Sequence, residues 1–190
     1  MKKVLLSLLV AGSFALPHGV RAQAPVPVNY TEQVVVEGAG STALYTRALN
    51  WAEHKFTYAP TTALVVDPTK SVIRITGTGT LKPVDARGQD QSLTVLFTFR
   101  FQATDNGYSY QVGSFEVVPD PQAPSQKVPL EEYQAELRAS RSNAKTFNDR
   151  RLGAQATSLA SEAAMSFRSF MNSQPANDHV GVADEQVGAQ

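Results

Sequence analysis

From Leu93 to Phe101 every second residue is apolar: Leu93, Val95, Phe97, Phe99 and Phe101. Between and around them stand Ser92, Thr94, Thr98, Arg100 and Gln102, with Leu96 the exception. A repeat of two predicts a strand with one apolar and one polar face. The stretch 71–81 repeats the arrangement: Ile73, Ile75 and Leu81 share a face with Gly77 and Gly79, opposite Arg74, Thr76, Thr78 and Thr80. Further strands are expected at 30–38, 63–67 and 108–118. Asp105-Asn106-Gly107 marks a tight turn, because Asn and Gly accept positive φ cheaply. Elsewhere the period changes. Leu44, Ala48, Trp51, Ala52 and Phe56 recur at helical spacing, and Pro60 ends the run. Leu130, Tyr133 and Leu137 form a second short apolar stripe. A third, over about 151–171, carries Leu152, Ala156, Leu159, Ala163, Phe167 and Phe170.

The order β-α-β-β-β-β-α predicts an α+β fold. Its twisted antiparallel sheet has about five strands, helices pack on one face, and a C-terminal helical extension follows. Gly77 and Gly79 lie on the apolar side, where the missing side chains let a helix approach. The expected organisation is a leader over 1–22, a Pro-rich lead-in over 23–29, an α+β domain over 30–140, a helical extension over 141–172 and a disordered polar tail over 173–190.

One short motif points elsewhere. Gly38, Gly40 and Ala43 fit G-x-G-x-x-[GA] between a strand and a helix, and Asp67 ends the next apolar run. That is the outline of a dinucleotide fingerprint. The context disagrees with it. Such a fold needs parallel strands joined by helical crossovers. After 63 the connections are too short for anything but antiparallel neighbours. The glycines read as a strand-to-helix turn, with Ser41 or Thr42 expected to cap the helix.

The first residues change the picture of where the chain lives. Lys2 and Lys3 precede an apolar stretch from Val4 to Leu16, and Val20-Arg21-Ala22 suits a signal peptidase. Thirteen apolar residues are too few to span a bilayer, which needs about 20. Cleavage is expected near Ala22, giving a periplasmic or secreted protein with no membrane span in the mature chain. The chain has no cysteine, so disulfides, thiolate metal sites and a cysteine nucleophile are excluded. The whole chain carries 17 basic and 17 acidic residues; loss of Lys2, Lys3 and Arg21 with the leader leaves 14 basic ones. A slightly acidic chain has no long-range pull on nucleic acid.

Several of these traits occur together in a known family. The helix with Leu44, Tyr45, Arg47, Ala48 and Trp51, the strand with Gly77 and Gly79, and the aromatic β-rich run followed by a helix resemble exported domains of unknown function with a TATA-binding-protein-like fold. The resemblance covers about 30–140. It implies a fold and brings no catalytic residues. A DNA-reading role of that fold would need basic and apolar wedge residues on the open sheet face. This face offers Arg74 and Arg100 among threonines, so no nucleic-acid partner is expected.

Candidate chemistry is sparse. His54 stands beside Glu53 on the polar side of the first helix, and neighbours in sequence point apart on a helix. No G-x-S-x-G elbow or calcium-loop pattern appears. No cofactor, metal site or catalytic residue is assigned. Glu32, Asp67 and Glu116 are carboxylates that could converge, but nothing in the sequence selects them. The candidate ligand-binding set is Arg74, Thr76, Thr78, Thr98, Arg100 and Gln102, one polar platform if the central strands pair. The leading expectation is a non-catalytic binding or interaction module of the cell envelope, its partner a small polar ligand or an envelope protein. The alternatives are a hydrolase with unidentified carboxylates, and a structural subunit that self-associates through its last helix. The basic stretch 138–151 is either a solvated link or a contact to an acidic envelope surface.

Overall fold

The computed structural model describes residues 27–61 and 63–173. The expected leader, its cleavage point and most of the expected tail lie outside them. The elements are β1 (Tyr30–Val35), α1 (Ser41–His54), β2 (Ala63–Asp67), β3 (Val72–Leu81), β4 (Leu93–Thr104), β5 (Gly107–Val118), β6 (Val128–Pro129), α2 (Leu130–Ala139), α3 (Asn143–Thr146) and α4 (Asn148–Ser173). Every strand pair is antiparallel, and the sheet order is β1-β5-β4-β3-β2, with β6 also on β5. The α+β expectation holds. The two-residue β6 was not anticipated. β1 covers only Gly107–Val112 of β5, and β6 pairs with Glu116 and Val117 farther along the same strand.

Helix α1 carries the chain from one edge of the sheet to the other and lies on β3, β4 and β5. Its buried face is Leu44, Tyr45, Ala48, Trp51 and Ala52. The glycine pair is a turn: Gly38 has φ 74° and Gly40 φ 72°. The expected hydroxyl cap does not form. Gly40 takes the N-cap place, Ser41 is already helical, and its hydroxyl donates to Asp105 Oδ1 at 3.0 Å. Capping is replaced by a tie to the β4–β5 hairpin.

α4 packs on the same face of the sheet, against α1, α2 and strands β1, β3 and β5. Leu152, Ala156, Ala160, Ala163, Ala164, Phe167 and Met171 are buried in the common core. Phe167 is fully buried, with ring centres of Trp51, Phe99 and Tyr110 within 5.0 Å. The apolar stripe that self-association through the last helix would use is therefore occupied by the chain's own sheet. Small residues permit this approach. A Cβ on Gly79 would lie 2.7 Å from Leu159 of α4. At Gly77 it would meet Phe56 at 2.6 Å and Tyr58 at 2.9 Å, so there the close neighbours are the aromatics after α1.

Polar side chains fix the start of α4. Buried Asn148 accepts from Val84 N at 2.9 Å and donates to Val84 O at 2.8 Å, as a neighbouring strand would. Gln155 does the same at Lys82, and Arg151 bonds Lys82 O and Asp90. Arg151, in the basic stretch read as a link or an envelope contact, thus holds the loop after β3. Among the described residues no helix is long and apolar enough to cross a membrane.

Candidate functional site

Both helices lie on one face, so the strands' other side chains form an open face with a readable grid. One row runs Val65, Arg74, Arg100, Gln111 and Thr31 across β2, β3, β4, β5 and β1. On one side of it runs Ala63, Thr76, Thr98 and Gly113; on the other, Asp67, Val72, Gln102, Ser109 and Gln33. The six expected residues all sit on this face. Thr76 opposes Thr98, Arg74 opposes Arg100, and Gln102 stands one row away. Thr78 is different. It opposes Leu96, and its hydroxyl donates to Pro60 O at 2.8 Å, tying down the segment after α1. Leu96 and Val118 are also buried on this side, apart from the main core.

A bulge shapes the middle of the face. Thr98 pairs with Gly113 but Leu96 pairs with Glu116, so β5 has one residue too many, and Ser114 takes φ 53°. The extra residue returns Phe115 and Val117 to the core, where Phe115 stacks on Phe97 at 5.6 Å. On the open side it leaves a depression of about 250 Å³ lined by Arg74, Thr98, Arg100, Gln111, Gly113 and Ser114. A second hollow of about 170 Å³ adjoins it, with Thr31, Arg100, Gln102, Ser109 and Gln111 in its walls. Sequence reasoning missed Gln111, Gly113 and Ser114. The signal was present: Ser109 and Gln111 alternate with Tyr108, Tyr110 and Val112, and the alternation breaks at Gly113-Ser114.

Among the described residues Arg74 and Arg100 have no acidic partner: the ion pairs are Lys70–Asp67, Arg151–Asp90 and Arg168–Glu32. Like charges directly opposite on paired strands repel. Asp67, at the edge, is turned to its own loop. Its carboxylate accepts from Thr69 Oγ1 at 2.6 Å and from the Lys70 amide, and these bonds, the Thr69 hydroxyl foremost, hold it below the usual aspartate range.

Glu32, Asp67 and Glu116 do not converge. Glu32 is on β1 and Asp67 on β2, at opposite edges, and Glu116 is on β5. Glu32 faces the helices, where it accepts from Tyr30 at 3.1 Å and from the Tyr110 hydroxyl and pairs with Arg168 of α4 at 3.1 Å. Burial first, and then this carboxylate, push the Tyr110 phenol far up. Tyr58 is pushed up to about 12, again by burial and then by the Glu162 carboxylate. These groups pin the helix layer to the sheet. His54 caps nothing but its own helix, with Nδ1 3.1 Å from Asn50 O. Among the described residues no three His, Cys, Asp or Glu side chains lie together as metal ligands would.

The structure is similar to a TBP-like protein from Parabacteroides distasonis, with a TM-score of 0.49 and 14% identity, over 76% of this chain and 97% of that one. A DUF4468 family protein from Bacteroides ovatus gives a TM-score of 0.49 and 12% identity, over 74% of this chain and 86% of that one. No curated protein matches the chain significantly. Residues 30–117, the segment from β1 to Val117 near the end of β5, match the model of the domain of unknown function (DUF4468) with TBP-like fold.

Proposed function

We propose that the protein is a non-catalytic binding module of the cell envelope whose open sheet face takes a polar ligand. The observation that carries this reading is the pair Arg74 and Arg100, directly opposed, without an acidic partner among the described residues, and set in a polar hollow. A face with only a solvation role has no need of two facing cations, because a threonine or lysine–glutamate pairing would serve without repulsion. The envelope part rests on the basic, apolar and small-residue segments of the first 22 positions.

Two measurements test the parts separately. N-terminal sequencing of the protein from a fractionated host is expected to return an envelope species beginning at Gln23. A cytoplasmic species that keeps Met1 would remove the envelope from the reading. A panel of small sugars, peptides and organic anions, followed by amide NMR shifts, is expected to move residues of β3, β4 and β5 that face away from the helices. Binding that maps to the helix layer instead would refute the open-face assignment.

A further inference from the structure

We infer that Arg74 and Arg100 form a seat for a doubly charged oxyanion, of the kind carried by a phosphate monoester. This deepens the open-face reading and rests on it. The register puts the two residues in direct cross-strand opposition on neighbouring central strands, so their side chains leave the sheet side by side. Each guanidinium is a planar fork of N–H donors that matches phosphate oxygens two at a time. Roughly ten such donors stand here, and among the described residues none is spent on a protein acceptor or carboxylate.

The surroundings add neutral hydrogen-bonding groups. Thr98 and Ser114 bring hydroxyls and Gln111 an amide, and all three line the same 250 Å³ hollow. Gly113 lies across from Thr98 and contributes no side chain, and the positive φ of Ser114 bends β5 at this spot. The acidic side chains of the open face leave the seat free. Glu116 lies two rows away, opposite Leu96, and Asp67 is engaged by Thr69 and Lys70. Charge chooses within the class of anions. Two guanidiniums facing water carry two charges, which a dianion balances and a carboxylate leaves half uncompensated.

The test titrates inorganic phosphate at pH 8 into the full chain, with chloride held at matched ionic strength and acetate as the monoanion control. The readout is the pair of arginine side-chain Nε–H resonances. Phosphate is expected to shift both, saturably, at least about tenfold more tightly than acetate. R74Q and R100Q are each expected to weaken the effect about tenfold, and the double variant to remove it. R150Q, at the start of α4, should leave it unchanged. The amide spectrum of each variant reports whether the fold persists. Non-saturable shifts, equal response to acetate, or an undiminished response in the double variant would overturn the seat. A neutral sugar mapping to this face on a protein that ignores phosphate would sink the oxyanion seat and leave the binding face standing. A protein whose ligands all map elsewhere would lose both.

Discussion

On one side of β4, Phe97, Phe99 and Phe101 are almost fully buried beneath two helices; one residue along, on the other side, Arg100 and Gln102 are exposed and Thr98 is half-buried. The two faces share a backbone and differ in what constrains them. Beneath the helices, shape decides. Aromatic rings meet edge to face around Phe167, glycines make room for Leu159 and Phe56, and Glu32 accepts from two tyrosines and an arginine. On the open side charge and hydrogen-bonding capacity decide, and much of that capacity is left unused among the described residues. Stability is therefore concentrated on one face, and side chains on the other can be chosen for contact with something else.

The sharpest way to break this contrast is Phe167→Ala. It removes the ring at the centre of the aromatic cluster, and a cost of about 3–5 kcal/mol is expected. Urea unfolding would show it as a lower midpoint with an unchanged slope. A loss below 1 kcal/mol would mean that α4 is not a full member of the core. Next comes Gly79→Val. Its new side chain would press on Leu159, and about 1–3 kcal/mol of overpacking cost is expected. A companion Leu159→Ala should recover part of it, and strict additivity of the two changes would contradict the close approach.

A third prediction concerns alkali. Folded Tyr58 keeps its proton to about pH 12, whereas an unfolded tyrosine releases it near 10. Above pH 10 the unfolded chain binds fewer protons, so stability is whole below that point and falls as pH rises from 10 to 12. The slope due to Tyr58 is at most about 1.4 kcal/mol per pH unit, and smaller to the extent that water reaches the phenol. Tyr110 acts in the same direction. Tyr58→Phe should flatten the curve, and a wild-type curve already flat to pH 12 would contradict the burial. The smallest effect belongs to the open face. Arg74→Gln and Arg100→Gln should each change stability by under about 0.5 kcal/mol, and relief of repulsion favours the stabilising sign. A large loss from either would mean that the pair holds the sheet together.

Much of the contrast was written in the alternation of β3 and β4. A half-buried strand must place apolar groups at every second position, so the platform of Arg74, Thr76, Thr98, Arg100 and Gln102 followed from spacing alone. β5 was harder. Its alternation slips at Ser114, a left-handed residue that is not glycine, and only the pairing with β4 makes that conformation necessary. The half of the hollow contributed by Gln111, Gly113 and Ser114 was lost with it. The stripe on α4 was legible as a stripe, but periodicity cannot say which surface it meets. Asn148, Arg151 and Gln155 gave no warning that they would bind a loop more than sixty residues away. The Ser41 cap failed for a similar reason: a hydroxyl expected to serve its own helix found a distant carboxylate.

The crossover made by α1 bears on the order of assembly. β2 through β5 can close as successive hairpins, each on the strand just made, whereas Tyr30–Val35 must wait for a partner that ends at Val112. The first strand of the chain therefore stays single until β5 is in place, and one edge of the sheet closes only after about eighty further residues have joined it.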